Sequence, residues 1–387
     1  MPMKKKQHYV PRFYIKRFAN SSAQLDIYLL NDAKTIRNVN YRNQCQESYF
    51  YGGDLEWENR LSEMESLWCS LFVKIDRKEK LSEEEIKQLK LFALFQRQRT
   101  SGEYNYRYQE RFELYKLYGQ AVYTKNGWNP DELTDEYIHK QVEQSISPTE
   151  MLEFAVDFQD IIDDLEVQVI SFETDRKLII SDVPVISINQ FHMPSIGYGC
   201  VGLVILYPIS PTDLVVIYDS KMYKSNPLGQ YYVSCNEEDV IELNSLQYVS
   251  AEKVLLGDSS SFPTLHDELV KARSNSRNRK TVTKLGTDDN QLWVMGMRQT
   301  YYRCKLSFTH INHAFRRIPF KCKDGAPRKW DPEWEKKLKM QGTVLSEICR
   351  LSPSSFDGYT CKELRDGCNR FYREMIRYWN SDQGDEK

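Results

Sequence analysis

The chain has 387 residues, 41% hydrophobic and 28% charged, which suits a packed core and excludes the sparse, highly charged class that stays disordered. It holds no apolar run near the ~20 residues that span a bilayer, no signal-peptide layout and no lipidation motif, so a soluble, cytoplasmic protein without a membrane partner is expected. The net charge of −2 hides an asymmetry: residues 259–387 carry 25 Lys/Arg against 16 Asp/Glu, whereas residues 1–258 carry 28 against 39.

Lys4 to Arg17 holds six basic residues and no acid. Within it, Pro11 suits a first helical position, where its missing N–H would lack a partner anyway, so a short helix to about Ala19 is expected. Tyr14 and Phe18 then share a face at i,i+4 and dock on the core, leaving Lys16 and Arg17 wet. His8 stands just ahead of that helix, as a titratable ring placed for chemistry or as a satisfied structural histidine. Gln24–Leu30 alternates as a strand, and Asn31-Asp32 turns it back.

Asp54 is placed to cap a helix to about Ile75. At 100° per residue, Leu61, Met64, Trp68, Leu71, Phe72 and Ile75 fall in one apolar arc. Glu58 and Glu65, two turns apart on its edge, either converge on a cation or flank the arc in solvent. Ser82 before Glu83-Glu84-Glu85 is a capping signature. The helix it opens is apolar on nearly every side, through Leu89, Phe92, Leu94 and Phe95, as a central helix requires. Gln96 and Arg99 lie on its inward arc. A buried guanidinium must be paired, here with a structural carboxylate or with an anionic ligand. Tyr104–Tyr118 continues helical, and Asp131–Phe158 adds helix broken at Ser145–Pro148.

The period then falls to two in Glu166–Phe172, Lys177–Ser181, Val201–Tyr207 and Asp213–Tyr218, the last pair joined tightly through Pro208–Pro211. Helices followed by strands make the class α+β: a largely helical N-terminal half, an antiparallel sheet in the middle and a mixed, mostly helical, basic C-terminal region. Asp182 stands where a strand becomes a loop, as a reachable catalytic acid or as a turn residue beside Pro184. Asn236 caps a helix to about Val249, on which Asn244 and Gln247 point inward to backbone or to a ligand. Asp258–Pro263 is read as a boundary between a core over 1–258 and a basic extension over 259–387, which contains Arg277, Arg279 and Lys280.

Nine cysteines without a Cys-x-x-Cys pair imply reduced thiols. Cys304, His310, His313 and Cys322 offer zinc-type donors at a spacing that matches no common finger. Walker, Gly-x-Gly-x-x-Gly, His-Glu-x-x-His and Gly-x-Ser-x-Gly signatures are absent.

QHYVPRFYIKRFA, LEWENRLSEMES, FALFQRQRT, IISDVPV, LYPISP and ELNSLQYVSAEKVL follow one another in an order similar to the mostly bacterial family called domain of unknown function 4238, over residues 4 to 258. The resemblance implies a shared architecture and site, and brings no established activity. His8, Glu58, Glu65, Gln96, Arg99, Asp182, Asn244 and Gln247 all fall in these blocks, which suggests one polar centre.

One expectation is a metal-dependent nuclease or phosphodiesterase. In it Glu58, Glu65 and Asp182 bind Mg²⁺ or Mn²⁺, His8 is ligand or base, and Arg99 holds phosphate. Gln96, Asn244 and Gln247 would contact the substrate, and Arg277, Arg279 and Lys280 would add sequence-independent affinity for nucleic acid. Family character alone suggests a defence or toxin-like effector. The alternative is a non-enzymatic nucleic-acid or protein-binding sensor in which the same residues form a structural network. A metal-free hydrolase or glycosidase needs two acids in opposed environments.

Overall fold

The computed structural model describes residues 6–51, 55–157, 159–190, 196–200, 202–225, 229–277, 282–288, 291–296, 302, 304 and 306–311. The chain forms two compact units. One is assembled from Met1–Glu103, Ile162–Arg279 and Gln299–Ala326, the other from Tyr104–Ile161, Lys280–Arg298 and Pro327–Lys387. The Asp258–Pro263 stretch lies inside the first.

That unit opens with β1 (Lys6–His8), α1 (Arg12–Lys16), β2 (Gln24–Leu29), β3 (Lys34–Asn40) and β4 (Gln46–Ser48). Pro11 is extended and stands just before α1, which ends at Lys16. Tyr14 and Phe18 are buried together with ring centroids 6.0 Å apart. Arg17 departs from expectation: it is not wet, because its guanidinium grips Asp76 and its Nε donates to the Ile209 carbonyl. α2 (Leu55–Asp76) and α3 (Glu83–Gln98) follow, and then α4 (Ser101–Lys125). At the start of α3, Ser82 Oγ accepts the Glu85 N–H while the Glu85 carboxylate accepts the Ser82 N–H, a reciprocal cap that satisfies two end donors. Phe92 meets Phe72, Trp68 and Tyr14 edge-on at 5.1–5.3 Å, so α3 is the buried central helix that its pattern implied.

The second unit takes up the chain with α4 from Tyr104, α5 (Asp135–Ser145) and α6 (Pro148–Asp157). Leu133, Ile138, Val142, Ile146 and Met151 make its described core, with Tyr104, Tyr108 and Phe112 packed on it.

Returning to the first unit, the chain lays down β5 (Glu166–Phe172), β6 (Ile180–Ser181), β7 (Ile186–Asn189), β8 (Leu203–Pro208), β9 (Asp213–Tyr218), β10 (Tyr223–Ser225), β11 (Tyr231–Ser234), α7 (Glu237–Ser250), β12 (Val254–Gly257) and α8 (Asp267–Arg277). One sheet has the order β11-β5-β9-β8-β7, antiparallel except for the parallel β11–β5 edge. A second has the order β3-β2-β12-β6, and β1 pairs with β4 in a small two-stranded sheet. The expected 177–181 strand shrinks to two residues, since only Ile180 and Ser181 find β12 as a partner. Gly257, at φ +151°, lets the Ile179 side chain close to 2.9 Å from where a Cβ would stand. The class is α+β.

Candidate functional site

The end of α3 and its junction with α4 collect buried polar side chains: Gln96, Gln98, Arg99, Thr100, Ser101 and Glu103 are each at most 7% exposed. Burying polar groups is costly unless each is bonded, so the destination of those bonds defines the centre.

Arg99 is its hub. Nε donates to Tyr51 Oη at 3.0 Å, Nη1 to Glu65 Oε1 at 2.7 Å, and Nη2 to the His8 carbonyl at 2.8 Å. Burial works against the guanidinium charge, but Tyr51 and Glu65 beside it raise its pKa further. The Tyr51 N–H donates to Gln7 Oε1 at 2.7 Å, and Gln96 Nε2 donates to the Tyr9 carbonyl at 3.1 Å. The QHYVP segment is therefore gripped largely by its backbone. Arg97 makes a second buried arm, donating to Ser187 Oγ at 2.7 Å and pairing with Glu103 at 3.5 Å.

His8 itself turns to the rim, half-exposed. Its Nε2 lies 3.0 Å from the Arg42 carbonyl and 3.3 Å from Arg12 Nε. Burial pushes its pKa below the ordinary imidazole value, opposed by the Arg42 carbonyl and helped by the positive charges of Arg12, Arg99 and Lys6. Lys6, Arg12 and Arg42 stay exposed around it.

Asp182 is fully buried, so of its two sequence readings the reachable acid does not hold. Oδ1 accepts the Glu252 N–H at 2.8 Å and Oδ2 the Lys253 N–H at 2.7 Å. Burial outweighs those bonds and moves its pKa up to about 6. Tyr9 and Cys45 have raised pKa values from burial first, with the Asp182 charge adding to it. Gly102 lets the Val183 and Glu252 side chains close in beside this turn, because a Cβ there would stand 2.7 Å from Val183 Cγ2 and 2.8 Å from Glu252 Cγ.

Asn244 and Gln247 do point inward, but to backbone. Asn244 accepts the Ile179 N–H at 3.1 Å and donates to the carbonyls of Lys177 and Ser261 at 2.9 Å. Gln247 accepts the Ser181 N–H at 2.9 Å and donates to the Pro184 carbonyl at 3.0 Å. They splice α7 to the segment that carries Asp182.

Arg277, exposed at the end of α8, bonds to the Glu252 carboxylate and to the Ala251 and Glu252 carbonyls, where it caps the end of α7. Arg279, Lys280, His313 and Cys322 lie outside the described residues. Glu58 is half-exposed on α2. Among the described residues no three His, Cys, Asp or Glu side chains come together to hold a metal ion, so Glu58, Glu65 and Asp182 do not fit Mg²⁺ or Mn²⁺ as a set.

Of the residues singled out in the sequence, Glu65, Gln96, Arg99 and the His8 carbonyl come together, and Gln7, Tyr51, Cys45, Arg97 and Glu103 join them without having been singled out. The alternation QRQRTSGE, polar beyond what a buried helix end tolerates unbonded, was the available signal. The ionised groups of the centre are matched within the protein. Near the centre, the buried atoms with no hydrogen-bond partner among the described residues include Trp68 Nε1, Gln96 Oε1, Gln98 Nε2 and Ser101 Oγ. The family model described as "Protein of unknown function (DUF4238)" matches residues 6–261. No curated protein and no solved structure matches.

Proposed function

We propose, from the premise that the chain belongs to the DUF4238 family, that it is a non-enzymatic binding module for nucleic acid, with the buried polar centre as the rigid frame behind a basic rim. One observation carries this reading. The centre's charges are consumed internally, Arg99 on Tyr51, Glu65 and the His8 carbonyl and Asp182 on two main-chain N–H groups, while Lys6, Arg12 and Arg42 remain at the surface around His8. Cations on a fixed edge supply sequence-independent affinity for a phosphate backbone. Asp182 is sealed from solvent with each carboxylate oxygen accepting a main-chain N–H, so a metal-dependent nuclease would have to open that turn before Asp182 could bind a cation, which weighs against that reading.

The test is incubation of the full chain with single- and double-stranded DNA and RNA, in Mn²⁺ and in EDTA. Retention without cleavage is expected, weakened about tenfold by the double substitution Lys6→Ala, Arg12→Ala, the loss of about 1.4 kcal/mol. Absence of retention refutes the proposal. Cleavage that EDTA and Glu65→Gln both abolish, at unchanged Tm, would establish the nuclease in its place.

A further inference from the structure

The second unit carries chemistry of the opposite sign. Residues 104–161 contain 11 Asp/Glu against 5 Lys/Arg, a balance of −6, and are rich in tyrosine. On α4, Tyr104 and Tyr108 stand one turn apart with centroids 6.3 Å from each other. His139 of α5 stacks on Tyr108 at 5.8 Å and on Phe112 at 4.4 Å, and its Nδ1 lies 2.8 Å from Tyr108 Oη. The Leu133, Ile138, Val142, Ile146 and Met151 core backs this ledge, so its rings are fixed by packing. Tyr104, Tyr108 and Phe112 are nonetheless only half-buried, and His139 is exposed.

Glu143, one turn beyond His139 and exposed, supplies the charge. After burial, its carboxylate is the main influence raising the pKa of both the Tyr104 and Tyr108 phenols, which places negative charge at their polar tips. The ledge already holds one cation: Lys116 Nζ sits 5.9 Å from the Phe112 ring centre while pairing with Asp135 at 2.7 Å. Aromatic faces beside a carboxylate attract a guanidinium or ammonium through ring quadrupole and charge together.

We infer that the ledge of Tyr104, Tyr108, Phe112, His139 and Glu143 is a docking site for a Lys/Arg-rich peptide segment of a partner protein. Nucleic acid is disfavoured there by the net acidity, so this site acts independently of the basic rim around His8. Asp131, Glu132, Glu136 and Glu150 on the flanking stretch 131–150 add to the negative charge of this segment.

Fluorescence anisotropy with a labelled hexa-arginine peptide, and a hexa-glutamate control, tests this on the full chain. Binding of the basic peptide alone is expected, falling at least tenfold for the surface charge reversal Glu143→Lys and for Tyr108→Leu. Lys6→Ala with Arg12→Ala should leave peptide binding intact, so that failure of the nucleic-acid proposal and failure of this one remain distinct. No binding of hexa-arginine, or binding that Glu143→Lys leaves unchanged, overturns the inference. Tyr108→Phe keeps the ring and the packing and is expected to bind within threefold of the parent. A tenfold loss there would also overturn the ring-based reading.

Discussion

Arg99 and Glu65 show how far one residue can commit a structure. The guanidinium is 2% exposed and makes three described bonds, so Arg99→Leu leaves Glu65, Tyr51 and the His8 carbonyl without their partner. Breaking a buried pair from one side costs about 3–5 kcal/mol, and urea unfolding of the variant should register a loss in that range; a change below about 1 kcal/mol would mark the pair as incidental. Asp182 gives a pH prediction. It titrates at about 6 in the fold against an ordinary value of 3.8, so the folded chain holds that proton more tightly than the unfolded one. The stabilisation is fully present below the unfolded value and is lost as pH rises through about 6. Unfolding free energies measured between about pH 4 and pH 7.5 should fall more steeply with rising pH in the parent than in Asp182→Asn, and parallel profiles would refute the assignment. Both residues were singled out from sequence, Arg99 by helical phase and Asp182 by its place beside a proline. What sequence could not supply was exposure, because the turn that covers Asp182 is formed by residues 252 and 253, some seventy positions away.

At the scale of elements, legibility followed the range of the interactions. The capping box of α3 is written in four consecutive residues, and Ser82→Ala should lower stability by about 1 kcal/mol in denaturant titration. α2, α3 and α7 announced themselves through helical period and end signals that each carries alone. β7, β11 and β12 did not: each has four residues and owes its existence to partners brought from elsewhere in the chain. The α3–α4 junction belongs to the same class. Gly102 reads as an unremarkable helix residue until Val183 and Glu252 are seen against it. Gly102→Ala should cost about 1–3 kcal/mol by overpacking, and faster amide exchange at Glu252 and Lys253 would report that the turn over Asp182 has loosened.

Across the whole molecule the charge distribution separates two proposed surfaces, a basic rim on one unit and an acidic aromatic ledge on the other. If Lys6, Arg12 and Arg42 are the phosphate contacts, log K for duplex DNA should fall against log salt with a slope of about −3, from about −0.9 per phosphate neutralised; a salt-independent affinity would exclude them. The amino-acid sequence by itself determined the family, the α+β class, the central helix and the inward aim of Gln96, Arg99, Asn244 and Gln247, because helical phase and hydropathy are properties of neighbouring residues. Only the tertiary structure decided what those groups touch. Gln247 and Arg99 meet main-chain atoms at separations of 63 and 91 residues. A hydrogen bond of that reach has no signature in local spacing. That is why the sequence left these residues open between a ligand and the chain's own backbone, while the fold shows which main-chain atoms they meet.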